Sequence, residues 1–133
     1  MQINNLTVHD TKVFVPVLDF EASLRFYQAL GWHMNFKAEN NAIAELELGN
    51  GRFLLQYFYN KELAENFMLH INVADAAAWH KHATTIIETG QYASARLTEP
   101  KEESYGSLIT YVWDPSGVLL HFVQHLDGNK QIA

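Results

Sequence analysis

Two short stretches of this chain recur. Val17-Leu18-Asp19 returns as Val73-Ala74-Asp75, 56 residues on, and Leu54-Leu55-Gln56-Tyr57 returns as Leu119-Leu120-His121-Phe122, 65 residues on. Offsets this similar, with the difference absorbed in a loop, point to a duplicated unit, and an internal repeat narrows the available folds more than composition does. The segments around the matches agree. Residues 12–18 are β-branched and aromatic and predict a strand, with Pro16 suited to an edge because it has no N–H. Asp19 suits an N-cap, Phe20, Leu24 and Tyr27 follow at helical spacing, and Gly31 suits a stop, so a helix is expected over 20–30. Strands follow at 32–38, 42–48 and 52–59, separated by Asn40-Asn41 and Gly49-Asn50-Gly51.

The second half repeats the order. A strand is expected at 68–74, then a helix capped by Asp75, with Trp79, Ala83, Ile86 and Ile87 on its apolar face and Gly90 at its end. A weak strand at 92–98 and a polar loop from Glu99 to Ser104 come next. Strands at 107–113 and 118–124 form a hairpin around Asp114-Pro115-Ser116-Gly117, where Pro fits the second turn position and Gly the left-handed one. The expected fold is α+β: two βαβββ units, about 11–60 and 67–125, in a single domain spanning 1–133. Their curved, antiparallel-rich sheets surround a concave pocket, with the helices outside.

Composition removes several function classes. The chain has 133 residues, 9 Lys and Arg against 15 Asp and Glu, and no Cys. Phosphate backbones are disfavoured by the net charge of −6, so nucleic acid is not an expected partner. Disulfides, thiolate nucleophiles and Cys-type zinc sites are excluded. No apolar run approaches ~18 residues, so no membrane partner is expected. Met1-Gln2-Ile3-Asn4-Asn5 has no basic start and no apolar core of a signal peptide, and a cytoplasmic location is expected. No Gly-x-Ser-x-Gly or glycine-rich phosphate loop occurs. His80 and His82 diverge around their helix and are expected to be solvated, and Glu45 and Glu47 are expected on a surface face of their strand.

The run Val15-Pro16-Val17-x-Asp19-x-x-x-Ser23-x-x-Phe26-Tyr27-x-x-Leu30-Gly31 opens the chain. The run Trp113-Asp114-Pro115-Ser116-Gly117-Val118-Leu119-Leu120-His121-Phe122-Val123-Gln124 closes it, with Asp75 between. Together they resemble the glyoxalase, bleomycin-resistance and extradiol-dioxygenase superfamily, the vicinal oxygen chelate proteins, over residues 12–125. In metal-dependent members the resemblance would place ligands at Lys12, Gln56, Met68 and His121. Of these only His121 suits a divalent ion. If a metal is bound, His121 and His70 are the residues expected to hold it. No cofactor is expected otherwise.

The pattern is most similar to the small bleomycin-resistance proteins, which the resemblance describes as metal-free dimers holding a cationic glycopeptide between subunits. It implies a ligand site drawn from Phe36, Gln56, His70, Tyr105, Tyr111, Trp113 and His121. His70, Tyr111, Gln56 and His121 would form one polar cluster, with Tyr111 and Gln56 as hydrogen-bond partners of His121. Three readings stay open. One is a homodimeric protein, its N-terminal segment Leu6–Asp10 exchanged between subunits, that sequesters a bulky aromatic or cationic small molecule. Another is a metal-dependent lyase or dioxygenase. The last is a scaffold with a vestigial pocket.

Overall fold

Asp19, Asn60 and Asp75 each start a helix by the same chemistry. Their side-chain oxygens accept the N–H groups of Ala22, Leu63 and Ala78, at 3.1, 2.9 and 3.0 Å, which satisfies donors that have no partner inside a helix. The computed structural model describes residues 5–126. Its first half runs β1 (Phe14–Val17), α1 (Phe20–Leu30), β2 (His33–Lys37), β3 (Ile43–Leu48) and β4 (Gly51–Tyr57). A short helix, α2 (Lys61–Glu65), leads into β5 (Met68–Asn72), α3 (Ala76–Ile87), β6 (Arg96–Leu97), β7 (Lys101–Glu103), β8 (Ser107–Trp113) and β9 (Leu119–His125). Gly31 ends α1 at φ 131°, a conformation that side chains with a Cβ rarely adopt.

The duplication is visible in the topology. The first sheet has the order β1-β4-β3-β2 and the second β5-β9-β8-β6, with β7 also paired to β8. In each, the unit's first strand lies parallel to its last, and the other pairs are antiparallel. The counterpart of β2 in the second unit is broken in two. The expected strand at 92–98 shrinks to Arg96–Leu97, because Tyr92 and Ala95 form a turn that buries both side chains. The Tyr92 ring meets Phe26 edge-on at 5.2 Å, which holds this stretch against the core and off the sheet. The expected polar loop after Glu99 contains β7, a charged edge strand without apolar alternation.

The expected curved sheets around a concave pocket are not what the chain forms. Both sheets are open, and neither curls nor closes on itself; β1 and β2 are the edges of the first, and β5 an edge of the second. Closure needs edge strands to pair, and Pro16 leaves β1 without one of its donors. The large apolar side chains instead collect on the faces packed against the peripheral helices. Val15, Val17, Leu46 and Leu55 of the first sheet and Val112, Leu120 and Phe122 of the second belong to one buried cluster with Leu24, Phe26, Tyr27 and Leu30 of α1. Each such side chain contributes about 1.5–3 kcal/mol by leaving water. Trp79 stacks on Phe122 at 4.5 Å, and Trp32 from the first unit reaches the same ring at 6.3 Å.

Candidate functional site

Strand alternation leaves each sheet a second face, away from the core. On the second sheet the register lays this face out in rows. Met68, Leu119, Trp113 and Arg96 form the first. His70, His121 and Tyr111 form the second. Asn72, Val123, Ile109 and Lys101 come next, then His125, Ser107 and Glu103. The face therefore grades from apolar at the β8–β9 turn to polar at its other end.

The second row carries the chemistry. The Tyr111 ring meets the His121 ring edge-on, centroids 5.0 Å apart. The Tyr111 hydroxyl donates to a Glu103 carboxylate oxygen at 2.5 Å. Burial first, and then this bond, push the phenol well above its usual range. Burial also lowers the His121 pKa, and the neighbouring His70 lowers it further. His121 Nε2 is buried and has no hydrogen-bond partner among the described residues. His70 Nε2 and His125 Nε2 both lie 3.0 Å from Asn72 Oδ1. An amide oxygen only accepts, so each ring donates there. His125 Nδ1 then accepts from the Ser107 hydroxyl at 3.2 Å.

The seven residues singled out in the sequence do not gather in one place. His70, Tyr111, Trp113 and His121 share the second sheet's outer face. Gln56 lies on the first sheet, in register with Pro16 and Ile43. Phe36 is on β2 of that sheet and half exposed, and Tyr105 is half exposed in the turn between β7 and β8. The expected hydrogen bonds from His121 to Tyr111 and Gln56 are absent. Tyr111 turns its hydroxyl to Glu103, whose strand was expected to be loop, and Gln56 belongs to the other sheet. Of the two α3 histidines, His82 is exposed as expected and His80 is partly buried, and both have polar partners. His82 Nε2 bonds the Leu30 carbonyl at 2.9 Å, and His80 sits 3.3 Å from Glu99.

The first sheet's outer face holds a network that sequence reasoning missed. Glu45, expected on a surface face, is only 5% exposed. Lys12 and Asn35 both bond its carboxylate. Arg52 links Asp10 at 3.3 Å to Glu47 at 3.7 Å. The bond from Lys12, then that from Asn35, lowers the Glu45 pKa. The legible signal was the pairing of two alternate acidic residues on a strand with a lysine just before β1.

These contacts test the four metal positions implied by the resemblance. The Lys12 ammonium is committed to Glu45, Gln56 is uncharged, and Met68, a residue 60% exposed, offers only a thioether. Among the described residues no three His, Asp or Glu side chains are placed to hold an ion together. The donor set does not fit a divalent metal. A cleft of about 420 Å3 opens between the β3–β4 turn and β5, lined by Trp32, Phe53, Trp79, Arg52, His70 and Asn72 among others. Of the seven residues it takes in His70 alone.

No family model matches the chain. A curated relative, the bleomycin resistance protein of Klebsiella pneumoniae, is 24% identical over 115 residues, covering 84% of this chain and 88% of the relative. The crystal structure of a bleomycin-binding protein complexed with bleomycin superposes with a TM-score of 0.71 at 21% identity, over 89% of this chain and 99% of that one. The chain has the fold of the glyoxalase and bleomycin-resistance superfamily. Another structure of that superfamily fold is the bleomycin-binding protein from bleomycin-producing Streptomyces verticillus, complexed with copper(II)-bleomycin. It matches with a TM-score of 0.69 at 22% identity, over 87% and 97% of the two chains. The superfamily resemblance read from the front and back motifs holds, and the parallel pairing of each unit's first and last strands is its structural counterpart.

Proposed function

We propose that this chain is a small-molecule binding protein that sequesters a bulky aromatic or cationic ligand without turning it over. The observation that carries this reading is the second sheet's outer face. There a tyrosine, an indole and a largely neutral imidazole stand side by side, next to Glu103, with no set of three metal donors among the described residues. Aromatic faces stack on planar groups and attract cations. The chain's net charge of −6 suits a positive charge, and the relatives named above are proteins of bleomycin resistance and binding. Phe36, Gln56 and Tyr105 complete the proposed contact set. Tyr105 stands in the β7–β8 turn of this same sheet, whereas Phe36 and Gln56 lie on the first sheet and meet such a ligand only if a second copy brings its first sheet against this face.

We therefore propose a homodimer in a cytoplasmic setting. Phe14, Phe36, Met68 and Tyr105 are about half exposed or more, as are Leu6 and Val8 in the segment before β1. Apolar groups left in water at this density favour association. Titration calorimetry with metal-free and copper-loaded bleomycin tests the reading. A saturable heat, intact recovered ligand and a dimer by sedimentation are expected. Absence of binding with a monomer, or stoichiometric bound metal in protein purified without chelator, would overturn it, the latter in favour of a lyase or dioxygenase.

A further inference from the structure

Beside that site, and sharing Trp113 with it, the β8–β9 turn borders a pocket of about 490 Å3, lined by Arg96, Trp113, Ser94, Tyr59, Ser116 and Glu65 among others. We propose that this pocket binds a small aromatic molecule bearing an oxyanion, a carboxylate or a phosphate, through Arg96. Cross-strand pairing sets Arg96 opposite Trp113, and the guanidinium carbon lies 3.7 Å from the centre of the indole ring. Stacking on a ring occupies the guanidinium face and leaves the in-plane N–H fork pointing outward, the geometry that takes two oxygens of one anion.

Nothing within the described chain fills that fork. In a protein with 15 acidic residues and 9 basic ones, no carboxylate among the described residues pairs with Arg96. Glu65, the carboxylate on the pocket wall, is held by Lys61 at 2.8 Å. Asp114 lies behind the turn, its oxygens taken by the Tyr27 hydroxyl and by the Ser116 and Val118 N–H groups. Further donors surround the fork. Ser116 Oγ accepts the Leu18 N–H at 2.8 Å, so its own proton is available to a ligand. Ser94 and Tyr59 contribute two more hydroxyls to the wall. The volume falls in the range of small-molecule sites, and the indole edge gives a ring somewhere to rest. This ligand is anionic, so the inference stands apart from the cationic-ligand reading, although Trp113 borders both sites.

Titration of isotope-labelled protein with benzoate, phenyl phosphate and inorganic phosphate tests it, read at the Trp113 indole N–H and the Arg96 Nε–H resonances. Saturable shifts are expected, weakened about tenfold or more in Arg96→Gln and less in Arg96→Lys, which keeps the charge but loses the fork. The aryl ligands are expected to bind tighter than inorganic phosphate. His121→Ala is expected to leave the titration unchanged, so failure of the other site cannot mimic failure here. Shifts that never saturate, or that survive Arg96→Gln, overturn the proposal. Should Arg96→Gln not fold, Arg96→Lys and Ser94→Ala decide it by the same readout.

Discussion

The hydroxyl of Tyr27 on α1 donates to the Asp114 carboxylate in the β8–β9 turn at 2.7 Å, and both side chains are fully buried. Burial pushes Asp114 from the usual 3.8 up to about 6, against the pull of its hydrogen bonds. The folded state thus holds this proton more tightly than the unfolded state. Its contribution to stability is full below about pH 4 and is lost as pH rises through about 6. In urea denaturation, Asp114→Asn should gain stability relative to the parent chain across that window, by up to a few kcal/mol, and hold a constant difference above it. Tyr27→Phe should cost about 1–3 kcal/mol at pH 7 by leaving a buried oxygen without its donor, and less at pH 4.

His121 titrates with the opposite sign. Burial and His70 lower its pKa below 6.5, so the folded state prefers the neutral ring. Its contribution is present above pH 6.5 and is lost as pH falls through the lowered value. His121→Phe, which keeps an aromatic edge against Tyr111, should flatten the fall in melting temperature on acidification. His121→Ala should weaken binding at the proposed ligand face while leaving the metal content of the purified protein unchanged.

Lys12 holds the segment before β1 to the sheet through Glu45. The Glu45 pKa is lowered chiefly by that bond, so the latch is closed above the usual 4.5 and opens as pH falls through the depressed value. Lys12→Met should speed amide exchange over residues 5–13 at neutral pH and remove the acid dependence of that exchange. Exchange rates equal to those of the parent chain would rule out the latch.

Gly117 has φ +97°, and a Cβ there would stand 3.2 Å from Glu65 Cγ. Gly117→Ala should cost about 1–2 kcal/mol from backbone strain alone, with the crowding added to it. Gly49→Ala has φ +60° but meets nothing within 4 Å, so its loss of melting temperature should be the smaller of the two.

The local chemistry was legible and the long-range chemistry was not. Asp19 and Asp75 announce their helices because the capping group and the donor it satisfies lie three residues apart. The β8–β9 register, with Tyr111 opposite His121, follows from a turn whose Pro and Gly fix its geometry. Helix α2 went unread, although Asn60 caps it, because five residues give no periodicity. Strand β7 was hidden by its Lys-Glu-Glu composition, and with it went the Tyr111–Glu103 bond. The Lys12–Glu45 pair spans 33 residues and the His82–Leu30 bond 52, separations at which no spacing rule applies. The open sheets differ from the expected curved ones because strand order, unlike strand existence, depends on which edges find partners.

Each half also supplies what the other lacks. The Leu18 N–H, at the entrance to α1, is satisfied by a hydroxyl 98 residues later in the chain, and the Leu30 carbonyl at the exit by a histidine from the second unit. A chain cut between Tyr59 and Phe67 would leave both polar ends of α1 unanswered in the first fragment, and the buried Asp114 carboxylate of the second without the Tyr27 hydroxyl. Neither fragment is expected to fold by itself, whereas the two mixed in solution should reassemble. The two units share one strand order, yet in the folded chain they are complementary parts rather than interchangeable copies.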